Sequence, residues 1–509
     1  MTNQHYQMPQ FPEPYWRDID LPIFNKLIED TDVDVAIVGG GITGITAGYL
    51  LAKEGIKVAI VEAGRILNGT TGHTTAKITA QHNIIYDELI QHFGEEQAKL
   101  YYEAATNALN FMKNTVKEQK IDCDFSEQDA VIYAASDQSA DKVNKEAKAY
   151  TRLGINSSTI DAIPFDIPIK TALVMHNQAQ FHPLKYLKSL AKLFLDAGGM
   201  LYENTTALDI EDGPHPKVML RNGKTISCKH LIAASHFPFC DKKGLYFARM
   251  YVERAYIIGI KAKRPFPGGM YISADTPTRS LRFTPVDDGE LVLVSGDSHK
   301  TGQGIDTIKH YLALEKFADE ILGIEEYKYR WSAQDIYTLD KVPYIGPITD
   351  NQPNVLIATG YRKWGMTSGT AAALLLKDLV LERDNPYKDL YTTSRFHADP
   401  EIKKFVSINT DVAKHLLKGK LEYIPTSEKD LKADEGAVVM IDGKRVGAYK
   451  DTEGQLHLVD TTCTHLGCEV EWNHGERTWD CPCHGSRYNI DGEVVDGPTV
   501  NPLKRVELE

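Results

Sequence analysis

The sequence predicts an α/β protein with an all-β module at its C-terminal end, and two observations carry that reading. Near the start, Asp34-Val-Ala-Ile-Val38, the turn Gly39 to Gly44, a helical stretch from Ile45 to Glu54 and Lys57-Val-Ala-Ile-Val61 make a strand-helix-strand unit. From Ala437 to Glu509 the pattern changes to short strands and glycine turns, with Cys463, Cys468, Cys481 and Cys483 crowded beside His465 and His484. At 509 residues the chain is too long for one core, so two or more domains are expected.

The elements between follow in order. Residues 1–32 carry four prolines and many polar groups, the composition of an arm lying over the surface. Asp87 to Lys120 is helical, and Leu184 to Ala197 is an amphipathic helix whose start Pro183 marks, which makes His182 a capping or packing residue. Val218-Met-Leu, the turn Asn222-Gly223 and Leu231-Ile-Ala-Ala read as a hairpin and a buried strand. Alternation from about Tyr251 to Val294 predicts an antiparallel sheet, Val355-Leu-Ile-Ala another buried strand, and Thr367 to Leu381 an Ala- and Leu-rich helix. Asp384 to Asp430 is charged and weakly periodic, as a helical linker would be.

Charge and hydropathy narrow the function. A formal net charge of −13 repels a phosphate backbone, and no basic run interleaved with aromatics appears, so nucleic acid is not an expected partner. The most apolar long stretch, Val355 to Val380, is interrupted by Arg362, Lys363 and Lys377, so no membrane span is expected. The first residues have neither the charged and apolar regions of a signal peptide nor a twin-Arg pair, which predicts a cytoplasmic protein. Cys123, Cys228 and Cys240 are scattered without ligand-like spacing and read as small core residues.

Two Cys-plus-His pairs face each other across fifteen residues: Cys463-Thr-His465-Leu-Gly-Cys468 and Cys481-Pro-Cys483-His484-Gly-Ser486. Two thiolates and two neutral imidazoles suit a 2Fe-2S cluster, in which the imidazoles remove negative charge from one iron and raise its potential; they also satisfy tetrahedral zinc. Over the last seventy to eighty residues the chain resembles the Rieske family, in its cytochrome bc-type form. That resemblance implies Cys463 and Cys481 on the inner iron, His465 and His484 on the outer one, and a Cys468–Cys483 disulfide tying the two loops. It also implies that Ser486 and Tyr488 hydrogen-bond cluster sulfurs and tune the potential upward. Unlike the respiratory members, the chain shows no N-terminal membrane anchor, which speaks against a place in a bc complex.

Gly39-Gly-Gly41-Ile-Thr-Gly44 fits G-x-G-x-x-G, whose glycines permit a tight turn, close approach of a pyrophosphate and close helix packing. Glu62, at the end of the second strand, stands where an acid holds a ribose hydroxyl. A second segment, Ala358-Thr-Gly360-Tyr-Arg-Lys-Trp-Gly365-Met366-Thr367, sets a strand end against a helix N-terminus, which can stabilise charge on a flavin ring and which an NAD-only fold does not need.

With these motifs, Trp331-Ser-Ala-Gln-Asp335 and Asp340-Lys-Val-Pro-Tyr-Ile-Gly346, residues 33–390 resemble the D-amino-acid-oxidase-like (glycine/sarcosine oxidase) superfamily, nearest its gamma-glutamylputrescine oxidase-like branch. The resemblance implies a doubly wound FAD-binding domain (about 33–80, 185–240 and 340–385) interleaved with an α+β substrate domain (about 81–184 and 241–339), then a linker at 391–430 and the Rieske domain at 431–509. It places Thr71 and His73 in a second FAD motif; His73 aligns with a histidine that carries flavin covalently in dimethylglycine dehydrogenase-like members, although Gly72 replaces their tryptophan.

The expected activity is oxidation of an amine or amino acid at FAD, with electrons leaving singly through the cluster to a one-electron acceptor. Lys363 and Arg362 are placed by motif to favour the anionic reduced flavin, and Arg282 is a candidate clamp for a substrate carboxylate, against the alternative of a solvated strand arginine. No general base is assigned. Other readings are a nicotinamide-driven reductase, which would need a second dinucleotide fold where only one G-x-G-x-x-G is present, and a redox sensor without turnover. A Rieske oxygenase would need a two-His-one-carboxylate iron triad, for which the remaining histidines show no spacing.

Overall fold

The computed structural model describes residues 7–304, 306–395, 398–421 and 427–507. The strand Val35–Val38 is buried at every position, as a central strand covered on both faces must be. It pairs in parallel with Val58–Val61 on one side and His230–Ala233 on the other. Met200–Tyr202 and Val355–Thr359 extend the parallel sheet outward, and Tyr344–Pro347 closes one edge in antiparallel sense. Helices Ile42–Lys53, Pro183–Asp196 and Gly365–Val380 pack with this sheet.

The expected sheet is present, larger than the alternation indicated, and antiparallel except where Met270–Ser273 pairs in parallel with Ser126–Ala134. It runs Ile324–Thr338, Met250–Ala262, Gly289–Lys300, Arg279–Val286, Met270–Ser273, Ser126–Ala134, Thr171–Gln180 and Lys77–Ile78, with Ser157–Ile160 joined beside Thr171–Gln180. The strands come from widely separated parts of the chain, so the two α/β layers are interleaved in sequence. The hairpin expected at Asn222-Gly223 forms between Lys217–Leu220 and Thr225–Ser227, with Gly223 at φ +78°.

Helix boundaries differ from the sequence reading by a few residues. The first helix begins at Ile42, inside the glycine motif, and the late helix begins at Gly365. The predicted 87–120 helix spans Tyr86–Glu118 and is broken at Gly94, whose φ of +85° no helix accommodates. His182 is the N-cap of Pro183–Asp196, its Nδ1 accepting the Lys185 N–H at 3.3 Å with Pro183 following, as expected. Within the 384–430 stretch lie the helices Lys388–Tyr391 and Ala398–Leu421.

The N-terminal segment differs from the surface arm expected. Trp16 is fully buried and its indole N–H donates to the Thr74 carbonyl at 2.6 Å, so a segment of polar composition supplies a core side chain. Cys123, Cys228 and Cys240 are buried free thiols. The C-terminal module is two small antiparallel sheets, Glu435–Ile441 with Lys444–Lys450 and Leu456–Asp460, and Glu471–Asn473 with Thr478–Asp480, Arg487–Tyr488 and Val494–Asp496. No helix among the described residues is long and apolar enough to cross a membrane.

Candidate functional site

The first site is the turn between Val38 and Ile42. Gly39 has φ +114°, and a Cβ there would lie 2.4 Å from the Ala234 carbonyl oxygen; a Cβ on Gly44 would lie 1.9 Å from the Gly39 oxygen. Neither position tolerates a side chain, so backbone alone faces whatever the turn holds. Gly41 caps the helix without a side-chain hydrogen bond, and the Ile42 N–H reaches Thr71 Oγ1 at 3.1 Å. Glu62 is half-buried, and its carboxylate accepts the Gly40 and Gly64 N–H groups at 2.8 and 3.0 Å. Burial raises its pKa, with those N–H donors opposing the rise.

The second wall is the 358–367 segment. Gly360 (φ +81°) packs against Thr338, and Arg362 and Lys363 take left-handed φ values of +48° and +68°. Two consecutive non-glycine residues in that region carry strain of the kind functional loops retain. The turn aims the uncapped N-terminus of Gly365–Val380 at the start of the first helix: a Cβ on Gly369 would stand 2.9 Å from Thr43 Oγ1. Met366 and Thr367 are buried, and the Thr367 hydroxyl lies within hydrogen-bond distance of the Thr79 carbonyl and His82 Nε2. Trp364 stacks on His82 with ring centroids 5.1 Å apart.

Between the second wall, the 74–77 segment and the large sheet is a cavity of about 80 Å³. Thr74, Thr75 and Lys77 line it from one loop, Ser280, Ser295 and Ser298 from the sheet, and Lys363, Trp364 and Met366 from the helix side. Lys77, which sequence reasoning does not single out, is its most perturbed group. Burial, with Arg282 adding to it, pushes the Lys77 pKa down to about 7, and Nζ donates to Ser280 Oγ. The signal available for it is slight: one lysine between two apolar residues, just past the glycine- and threonine-rich motif. Lys363 lines the cavity as its motif suggests and donates to Ser298 Oγ, with Glu253 4.0 Å away.

Arg282 lies elsewhere. It is 1% exposed rather than solvated, and its guanidinium donates to the carbonyls of Thr75, Ala76 and Phe283 at 2.7 to 3.0 Å. Its donors hold the loop that carries Lys77. His73 also stands outside the cavity lining; its Nδ1 is 2.9 Å from the Gly69 carbonyl, and burial pushes its pKa down to about 4, so the ring is neutral.

The third site lies in the C-terminal module. Cys463 and Cys481 are buried free thiols, and Cys468 and Cys483 are joined by a disulfide, so the latter two sulfurs cannot act as thiolate ligands. Contact between the two thiols, with the Tyr488 hydroxyl 3.2 Å from Cys463 Sγ, holds the Cys463 pKa down to about 6 and pushes Cys481 up. His465 and His484 meet edge to face, centroids 5.1 Å apart, and burial pushes His484 down to about 3. The neutral imidazole is the form that ligates metal.

Two orphaned atoms test what this set fits. His465 Nδ1 is buried without a hydrogen-bond partner, which suits a metal ligand, and Ser486 Oγ is likewise buried and unpartnered. Cluster sulfurs would give that hydroxyl an acceptor. The side chains therefore fit an iron-sulfur cluster. In the same way, the two glycine positions that exclude a Cβ and the two helix N-termini without side-chain caps fit a dinucleotide with a ring at its far end.

A buried polar seam joins the two halves. Arg254, Glu476 and Asp480 have side chains no more than 6% exposed, with Arg254 3.9 Å from Glu476 and 4.0 Å from Asp480. Ser332 and Tyr311 each donate to Glu476 at 2.6 Å. Gln334 Nε2 donates to the Gly485 carbonyl at 2.9 Å, and a Cβ on Gly485 would lie 2.3 Å from Val252 Cγ2. Ser332, Gln334 and Gly485 lie in segments the sequence singles out, whereas Arg254, Tyr311, Glu476 and Asp480 do not.

Comparison with known proteins agrees with this division. Residues 34–379 match the model of the FAD dependent oxidoreductase family and residues 422–507 that of the Rieske [2Fe-2S] domain. The chain is 52% identical over 510 residues to the Rieske 2Fe-2S iron-sulfur protein YhfW of Bacillus subtilis (strain 168), covering 100% of each. It is 23% identical over 384 residues to the gamma-glutamylputrescine oxidoreductase of Escherichia coli (strain K12), covering 70% of this chain and 85% of that one. The glycine oxidase of Geobacillus kaustophilus shares the fold, with a TM-score of 0.62 at 20% identity over 72% of this chain and 100% of that chain.

Proposed function

This chain belongs to the FAD dependent oxidoreductase family and carries a Rieske [2Fe-2S] domain, and from that premise we propose that it is a dehydrogenase of a small amine or amino acid that releases electrons one at a time. FAD and a 2Fe-2S cluster are its cofactors. Gly39, Gly41 and Gly44 hold the pyrophosphate, Glu62 the ribose, and Thr71, Gly360, Gly365, Met366 and Thr367 surround the rest of FAD. Cys463, His465, Cys481 and His484 hold the cluster. Bound there, FAD would supply the acceptor for a hydride from carbon beside nitrogen, and the cluster would supply one-electron transfer.

The observation that carries this reading is Lys77 in the cavity. With its pKa near 7, Lys77 accepts a proton at Nζ from an incoming ammonium, which leaves the substrate nitrogen its lone pair for oxidation. Ser280 orients that Nζ, and Arg282 fixes the loop behind it. Lys363, steadied by Ser298, supplies the positive charge that receives a substrate carboxylate or the developing negative charge at the helix N-terminus. Trp364 and Met366 close the apolar side of the cavity and exclude water. Thr70 Oγ1 donates to the Gln334 carbonyl at 3.4 Å while the Gln334 side chain holds Gly485, so one residue steadies both cofactor loops.

Anaerobic titration with secondary amines, N-methyl amino acids and gamma-glutamyl amines tests the proposal. Flavin bleaching by one of them, followed by loss of the Rieske absorption, is the expected result. Bleaching of both centres by NADPH, with every amine inert, would replace it with the reductase reading.

A further inference from the structure

The imidazole edge of His465 and His484 is covered by the flavoprotein half of the same chain. His465 Nε2 lies 3.3 Å from Asp241 Oδ2, and both side chains are only 3% exposed. Phe247 packs edge-on against both rings, 5.6 Å from His465 and 5.5 Å from His484. The residues are held by their own contacts: the Asp241 N–H donates to the Pro238 carbonyl at 3.0 Å, the Tyr246 hydroxyl to the Ile348 carbonyl at 2.7 Å, and Arg249 to the Thr393 carbonyl at 2.7 Å. Segment 238–249 is thus a built surface on which the histidines rest.

We propose that Asp241 and Phe247 form a cap that keeps the histidine edge inside the molecule and lowers the reduction potential of the cluster. The inference rests on His465 and His484 as ligands. His465 has one ring nitrogen without a partner and the other against Asp241, so Nδ1 is free for iron while Nε2–H donates to the carboxylate. A carboxylate behind a ligating imidazole makes the ligand more electron-rich, which favours the oxidised metal. Reduction adds an electron to a site already facing that negative charge, and with water excluded by Phe247 the repulsion is weakly screened. Both effects act in the same direction. They oppose Ser486 and Tyr488, whose hydroxyls favour the reduced cluster. On this chain the potential is therefore shared between the module that holds the cluster and the domain that covers it.

The test is an EPR-monitored redox titration of the full chain with mediators and chemical reductant, comparing the unaltered protein with Asp241→Asn. The amide keeps an acceptor for Nε2–H and removes the charge. At the ambient potential where the unaltered cluster is half reduced, the variant's reduced-to-oxidised ratio should be at least about tenfold higher, an upward shift of 59 mV for one electron. Phe247→Ala, which keeps the carboxylate and admits water, should shift upward by less. A midpoint that is unchanged or lower in whichever variant retains the Rieske signal overturns the proposal, since a merely structural role would leave it in place. No amine is used, so the result is independent of the substrate reading. Absence of a Rieske-type signal in the unaltered protein would remove the ligand assignment, and the inference with it.

Discussion

The Gln334 side chain donates to the Gly485 carbonyl across a buried boundary, 151 residues apart in sequence. Gly485 follows His484 directly, and the Gln334 backbone carbonyl receives the Thr70 hydroxyl from the other cofactor loop. Gln334→Leu leaves a buried carbonyl unpaired, which costs about 1 to 3 kcal/mol. Chemical denaturation should show that loss. If the proposed handover is right, stopped-flow reduction by substrate should show cluster reduction slowed while flavin bleaching keeps its rate.

The ion cluster at the same boundary gives a second test. Burial works against the charges of Glu476 and Asp480, yet Arg254 and Arg487 hold both pKa values below the ordinary carboxylate range. Groups so depressed contribute stability above their unfolded pKa and lose it as pH falls through the folded value. Arg254→Met removes the guanidinium beside Glu476, while Asp480 keeps Arg487 at 3.2 Å, and should destabilise the chain by about 3 kcal/mol. Adding Glu476→Gln should return part of that loss, because the stranded charge is then gone. Thermal unfolding of the single and double variants at pH 7, repeated at pH 3, below the ordinary carboxylate values, checks both the size and the sign.

Legibility in the sequence followed locality. The glycine turn and each Cys/His segment are built from residues only a few positions apart, and Glu62 is marked by the end of the next strand, so local spacing carries the chemistry. His182 was readable as a cap because Pro183 follows it. Trp16 was not, since nothing near it in the chain shows that Thr74 waits 58 residues away. Lys77, Asp241, Phe247, Arg254 and Gln334 share that difficulty. Each takes its role from partners brought close by strand order, and a single lysine, aspartate or glutamine has no periodicity to betray it.

The Cys468–Cys483 disulfide closes a loop of 15 residues around the proposed ligands. A cross-link of that length restricts the unfolded chain and is worth about 3 kcal/mol. Cys483→Ser should lower the denaturation midpoint of the C-terminal module accordingly. Loss of visible circular dichroism from the cluster should precede unfolding of the FAD-binding half, which keeps its flavin fluorescence unchanged until higher denaturant. Simultaneous loss of both signals would mean instead that the buried seam couples the two halves into one unit.

Lys77 makes the sharpest prediction, because stability and activity should respond to its titration in related ways. Its folded pKa of about 7 lies below the ordinary lysine value of 10.5, so between those values the unfolded chain binds the extra proton. Stability therefore rises with pH across that window, by at most about 1.4 kcal/mol per unit from this group, and is unaffected by it below about 7 where both states are protonated. Lys77→Met removes the buried ammonium and should flatten that slope and raise stability at neutral pH. The same neutral amine is the proposed proton acceptor, so kcat/KM for the substrate amine should rise with pH to a plateau, with an apparent pKa near 7. In Lys77→Met that limb should vanish and kcat/KM fall about 10²- to 10⁴-fold, the range ascribed to general base catalysis. An unchanged profile in the methionine variant would show that the proton leaves by another group, and Lys363 would be the next residue to replace.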